Sequence, residues 1–97
     1  MSDRIAHTFQ SLREKNQKAF VAYIAAGDPN FDSSLEIMKS LADIGADIIE
    51  LGLPFSDPLA DGIVNQMAAE RALKSGMTTV RVLDLVREFR KSHQTPI

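Results

Sequence analysis

The sequence predicts a parallel α/β sheet with helices between its strands, on three observations. Two short apolar runs rich in strand formers, "AFVAYIAAG" (Ala19 to Gly27) and "ADIIEL" (Ala46 to Leu51), are apolar along both faces, as strands covered on both sides are. Segments of helical period separate and follow them, so crossovers rather than hairpins join the strands. No linker, low-complexity tract or internal repeat beyond this alternation divides the 97 residues, which reads as one domain.

Residues 2–16 form the first helix: Ile5, Phe9 and Leu12 recur at helical spacing with charges between them. The run from Ala19 to Gly27 is the first strand, and "GDPN" (Gly27 to Asn30) closes it with a loop. Ser33 followed three residues later by Glu36 is a capping-box signature. Leu35, Met38, Leu41 and Ile44 line one face of the helix it opens, and Gly45 ends that helix. "ADIIEL" is the second strand. Residues 64–74 are helical and stop near Gly76. Thr78 or Thr79 caps a last helix with Val82, Val86 and Phe89 on one face, and "TPI" (Thr95 to Ile97) begins a third strand. Met38, Met67 and Met77 are expected to fill gaps in or near the core.

Hydrophobic content of 44% and charged content of 25% fit a folded, soluble chain. A net charge of −2 argues against nucleic acid or an anionic membrane as partner. There is no cysteine, hence no disulfide and no thiolate metal site, which is compatible with a cytoplasmic protein. The N-terminus lacks the uninterrupted apolar core of a secretory signal, and no run approaches the roughly 20 apolar residues of a membrane-spanning helix. His7 and His93 have no second ligand at metal spacing, so they are read as surface or cap residues and no metal site is expected. "GDPN" lacks the lysine and glycine pattern of a phosphate loop. "VREFRKSH" is the basic end of a helix, where cations complement the dipole.

Two strands and the start of a third cannot bury both faces of a parallel sheet, and they leave open edges. Residues 1–97 are therefore expected to be a single partial domain, part of a larger sheet, in preference to a very small complete one.

The stretch "DIIELGLPFSDPLADG" (Asp47 to Gly62) carries the chemistry. In parallel α/β folds ligands sit beyond the carboxyl ends of the strands. Glu50 is at the end of the second strand, and Asp61 lies eleven residues on, at the far side of a loop. Pro54 and Pro58 restrict that loop, while Gly52 and Gly62 admit backbone angles other residues resist. Two carboxylates facing one substrate can divide acid and base roles. Glu50, following a buried strand, is expected to have its pKa raised by desolvation and to donate a proton near neutral pH. Asp61, on a loop, is expected to stay ionised and to orient or stabilise a positive charge. Spacing alone leaves open the plainer reading, in which both are solvated loop carboxylates, one of them an N-cap.

"FVAYIAAGDP" followed by "GADIIELGLPFSDPLADG" resembles the N-terminal part of the tryptophan synthase alpha chain family, and the resemblance runs from the first helix to "TPI". It implies a (β/α)8, or TIM, barrel of about 250 residues or somewhat more, of which this chain matches the leading helix, the first two βα units and the start of the third strand. It also implies cofactor-free retro-aldol cleavage of indole-3-glycerol phosphate to indole and glyceraldehyde 3-phosphate. The indole then passes to a beta chain, which holds pyridoxal phosphate, in an alpha2-beta2 heterotetramer. Glu50 matches the family's catalytic glutamate and Asp61 its catalytic aspartate. Tyr23 stands where the family has an aromatic lining the indole site, although a core strand residue fits that position equally. Pro54, Phe55, Asp57 and Pro58 correspond to the loop that meets the beta chain.

After the aspartate the family commonly reads "GPTIQ" and this chain "GIVNQ", a departure that bears on the loop end rather than on the catalytic pair. No glycine-rich phosphate cradle occurs in these residues; the resemblance puts it later in the barrel. The competing reading is a catalytically silent barrel piece that works only by association. On either reading, the 97 residues alone are expected to be inactive and to self-associate or be partly ordered.

Overall fold

The structure is a computed structural model and describes residues 3–54 and 60–97. Its elements run α1 (Arg4–Glu14), β1 (Val21–Ala25), α2 (Phe31–Asp43), β2 (Ile48–Gly52), α3 (Ile63–Lys74) and α4 (Thr79–Arg90). The two strands pair in parallel, with Val21 opposite Ile48, Tyr23 opposite Glu50 and Ala25 opposite Gly52. Successive N–H groups of a strand point to opposite sides within the sheet. The Ile48 N–H accordingly donates to Phe20 on the β1 side (3.3 Å), and the Ile49 N–H donates to the Pro96 carbonyl (2.9 Å). The "TPI" segment therefore lies beside β2 on the side away from β1, where a third strand was expected, but it forms no strand: among the described residues the sheet has β1 and β2 alone.

Side-chain alternation divides the sheet into two unlike faces. Ile24, Ala26, Ile49 and Leu51 join a cluster with Met38 of α2, Ala72 of α3, Met77, and Val82, Leu85 and Phe89 of α4. Phe89, Met38, Ile49 and Leu85 are fully buried there, and each contributes about 1.5–3 kcal/mol through the apolar surface it removes from water. The opposite face presents Val21, Tyr23 and Glu50, all exposed. Helix α1 buries none of its residues; Arg4 links it to Gln94 at 2.9 Å.

Local chemistry explains most boundaries. Asn30, in extended conformation, caps α2 by accepting from the Ser33 N–H at 2.9 Å. The capping box expected at Ser33 is thus displaced: Ser33 is the donor to the cap, because the asparagine three residues earlier already offers its side-chain oxygen. Ser34, fully buried, accepts from the Gly27 N–H at 3.0 Å. Thr78 caps α4 through the Arg81 N–H.

Three core expectations are corrected. Ile44 is 75% exposed because α2 ends at Asp43, short of the expected face. Met67 is 52% exposed, whereas Met38 and Met77 are buried as expected. The α4 face is Val82, Leu85 and Phe89, with Leu85 fully buried and Val86 only partly so. His7 is exposed. His93 is more than a surface residue: it stacks on Phe89 (centroids 5.0 Å apart), and its Nε2 lies 2.8 Å from Asp43, joining the ends of α4 and α2.

Candidate active site

Ile49 and Leu51 belong to the helix-side cluster, so the residue between them, Glu50, projects from the open face of β2. Tyr23 is its direct partner across the ladder. The Tyr23 phenol leans along the sheet onto the end of β2, where a Cβ added to Gly52 would overlap its hydroxyl. Glycine at 52 thus lets an aromatic ring lie against the strand backbone beside Glu50.

Asp61 reaches the same neighbourhood from the other end of the loop. It is exposed and immediately precedes Gly62, the N-cap residue of α3. Asp61 is therefore not the N-cap that spacing alone had left open. Its backbone carbonyl accepts from the Gln66 side-chain amide at 2.7 Å.

Burial first, then the carboxylate of Asp61, then that of Glu50, push the Tyr23 phenol above its ordinary range. Both negative charges act on one hydroxyl and disfavour its ionised form. Tyr23 and Glu50, each the middle residue of its strand rather than its end, face one another across the ladder, and Asp61 acts on the same phenol from just before α3. Glu50 itself is exposed. It points to the sheet face opposite the helix-side cluster.

The strand end is fixed from behind. Arg71 of α3 grips Asp28, in the loop after β1, with two parallel bonds of 2.8 and 3.0 Å, and the Ser75 hydroxyl donates to the Gly27 carbonyl at 3.2 Å. Helix α3 thus holds the loop that follows β1, the strand that carries Tyr23. A surface groove of about 230 Å³ along β1 and α3 is lined by Tyr23, Ala25, Asp28, Val64 and Arg71, among others; neither Glu50 nor Asp61 lines it. Sequence reasoning missed both the Asp28–Arg71 pair and the Gln66 amide. Asp28 read only as a turn residue, and Gln66 only as a letter shared with the family spelling.

Of the expected partner loop, Pro54 is partly buried at its start. Phe55, Asp57 and Pro58 lie outside the described residues. Among the described residues no group of three His, Asp or Glu side chains could hold a metal ion, and no helix is long and apolar enough to cross a membrane.

The sequence model of the tryptophan synthase alpha chain matches residues 9–97. The chain belongs to that family. The alpha chain of Opitutus terrae is 54% identical over 94 residues, covering 97% of this chain and 35% of the relative. The crystal structure of the alpha subunit from Legionella pneumophila superimposes with a TM-score of 0.94 at 42% identity, covering 99% of this chain and 37% of that one. An alpha chain from the a2b2 complex of Pyrococcus furiosus gives a TM-score of 0.76 at 44% identity, over 81% of this chain and 32% of that one.

The chain therefore spans about a third of the length of the relatives it matches. Those relatives are TIM barrels, and the coverage fits the N-terminal part of such a barrel, as the resemblance implied. The family's members are lyases of tryptophan biosynthesis; their alpha chains need no cofactor, and pyridoxal phosphate belongs to the beta chain.

Proposed function

We propose that these residues supply the acid–base pair of an alpha chain that cleaves indole-3-glycerol phosphate to indole and glyceraldehyde 3-phosphate in the cytoplasm. The observation that carries the reading is the placement of Glu50 directly across the ladder from Tyr23, in a chain that belongs to the tryptophan synthase alpha family; that the charges of Asp61 and Glu50 both raise the Tyr23 pKa supports it. Glu50 gives a proton to the indole ring carbon that bears the glycerol side chain. The cation so formed spreads to the ring nitrogen, whose N–H donates to the Asp61 carboxylate. Glu50, now ionised, takes the proton of the hydroxyl next to the breaking bond. The carbon–carbon bond breaks, its electron pair restores the aromatic ring, and the new carbonyl leaves as the aldehyde. Tyr23 offers an aromatic wall for the ring.

Phosphate binding is assigned to residues that follow these in the family's barrel. The partner is assigned as a beta chain that meets the loop from Pro54 through Phe55, Asp57 and Pro58. Support comes from the a2b2 assembly of the Pyrococcus furiosus relative. On this reading the 97 residues alone release no measurable indole, because remote binding that positions substrate is missing.

The test joins residues 1–97 to the remaining length of the Opitutus terrae alpha chain and measures indole release. Glu50→Gln should lower turnover by about 10²-fold or more, the scale of a general acid–base residue, with substrate affinity changed less. Asp61→Asn should also lower it strongly, since an amide cannot balance the ring cation as an anion does. Near-parental turnover in either variant removes that residue from the mechanism.

A second reading, a piece that acts only by association, draws on the apolar first turns of α3, where Ile63, Val64 and Met67 are 70%, 74% and 52% exposed. Indole release by the joined chain that is lost in Glu50→Gln excludes it.

A further inference from the structure

We propose that Gln66 is a positioning residue for Asp61, holding it through the backbone so that its carboxylate faces the site. This rests on the role given to Asp61 above. Helix α3 begins without a side-chain cap, because its N-cap residue is Gly62. A glycine cap offers no side-chain oxygen to the first turn of the helix. What restrains the preceding residue is Gln66, one turn into the helix. Its backbone N–H donates to the Gly62 carbonyl at 3.0 Å, and its side-chain amide reaches past the cap to donate to the Asp61 carbonyl at 2.7 Å. One residue therefore holds two successive carbonyls, and with them the peptide plane that sets the direction of the Asp61 side chain.

The helix behind Gln66 is itself anchored. Ala68, Ala69 and Ala72 are buried, Arg71 forks onto Asp28, and Ser75 bonds to Gly27. The chain of contacts thus runs from the loop after β1, through α3 and Gln66, to Asp61. It sets Asp61 relative to β1, whose Tyr23 feels the Asp61 charge. A residue that must stabilise a cation formed only during the reaction gains from being fixed beforehand.

The experiment uses the joined chain described above. Gln66→Met keeps the length of the side chain and removes the donor. It should lower turnover about 10-fold, the order expected for displacing a charged group by a fraction of an ångström, while KM and the thermal midpoint stay near the parental values. Gln66→Glu, which when ionised cannot donate, should also lower turnover. The deciding readout is a cycle with Asp61→Asn: if Gln66 acts through Asp61, Gln66→Met costs little further turnover once that carboxylate is gone. The proposal is overturned if Gln66→Met leaves turnover unchanged, or if it costs the same factor in both backgrounds. Parental turnover in Asp61→Asn is a different failure, since it removes the role of Asp61 itself.

Discussion

The two faces of the sheet are built on opposite principles. The helix-covered face is apolar and closed: Ile49, Met38, Leu85 and Phe89 are fully buried, and its polar exception, Ser34, accepts from the Gly27 N–H. The open face carries Val21, Tyr23 and Glu50, all exposed, beside the buried Ala25 and Ile48. Strand residues alternate between these environments, so neighbours in sequence have unrelated tasks. Ile49 and Leu51 pack into the helix-side cluster, and Glu50 between them is exposed. The difference teaches that burial and exposure can be assigned to adjacent residues of one strand.

Substitutions on the closed face are expected to have the largest effect on stability. Phe89→Ala removes a fully buried ring that packs on His93 and should cost about 3–5 kcal/mol, read as a shift in the denaturant midpoint of the joined chain. Glu50→Gln should stay within about 0.5 kcal/mol of the parent by the same measurement while abolishing most turnover. Similar losses for the two would break the division of labour between the faces.

Two glycines sharpen the comparison. Gly27 has φ +86°, and a Cβ there would overlap the Cγ of Met77, which is buried. Gly27→Ala should therefore destabilise by about 1–3 kcal/mol, from backbone strain and overpacking together. At Gly52 a Cβ would meet only the tip of the Tyr23 side chain, which is 43% exposed and can swing away. Gly52→Ala should cost less than about 1 kcal/mol, yet displace the phenol from its place beside Glu50. Equal losses at the two positions would mean that the open face is packed more tightly than its exposure shows.

The sequence was legible where the physics is local. Both strands, all four helices and the position of "TPI" beside β2 follow from periodicity and from Gly45, Gly76 and Thr78 at the helix ends. It misled where two local signals competed: Ser33 and Glu36 satisfy the capping pattern, but Asn30 reaches the same N–H first. It also misled where burial depends on helix length, as at Ile44, or on which neighbours arrive, as at Met67.

At the site, Glu50 and Asp61 were singled out by the loop's composition and the resemblance. The exposure of Glu50 could not be read this way, because it depends on what other elements cover that part of the sheet face, where Ile48 two residues earlier is buried. The Arg71–Asp28 fork spans 43 positions, and no periodicity reports such a contact. Gln66 shows how an unremarked residue acquires a task only when the helix start is seen to lack a side-chain cap.

The central claim is that Glu50 and Asp61 converge on one site beside Tyr23, and the titration of Tyr23 tests it most directly. In the joined chain labelled with ¹³C at the tyrosine ring, the Tyr23 resonance is identified by its loss in Tyr23→Phe and followed with pH. The phenol should titrate above the ordinary value of about 10, and its midpoint should fall in both Asp61→Asn and Glu50→Gln, more in the former, because Asp61 is the larger of the two charge effects. The sign carries over to stability: with its folded pKa raised, the phenol's contribution is fully present below about pH 10 and is lost as pH rises through the folded value. A Tyr23 that titrates at the ordinary value, indifferent to both substitutions, would contradict the account, since the two carboxylates would then not share a site.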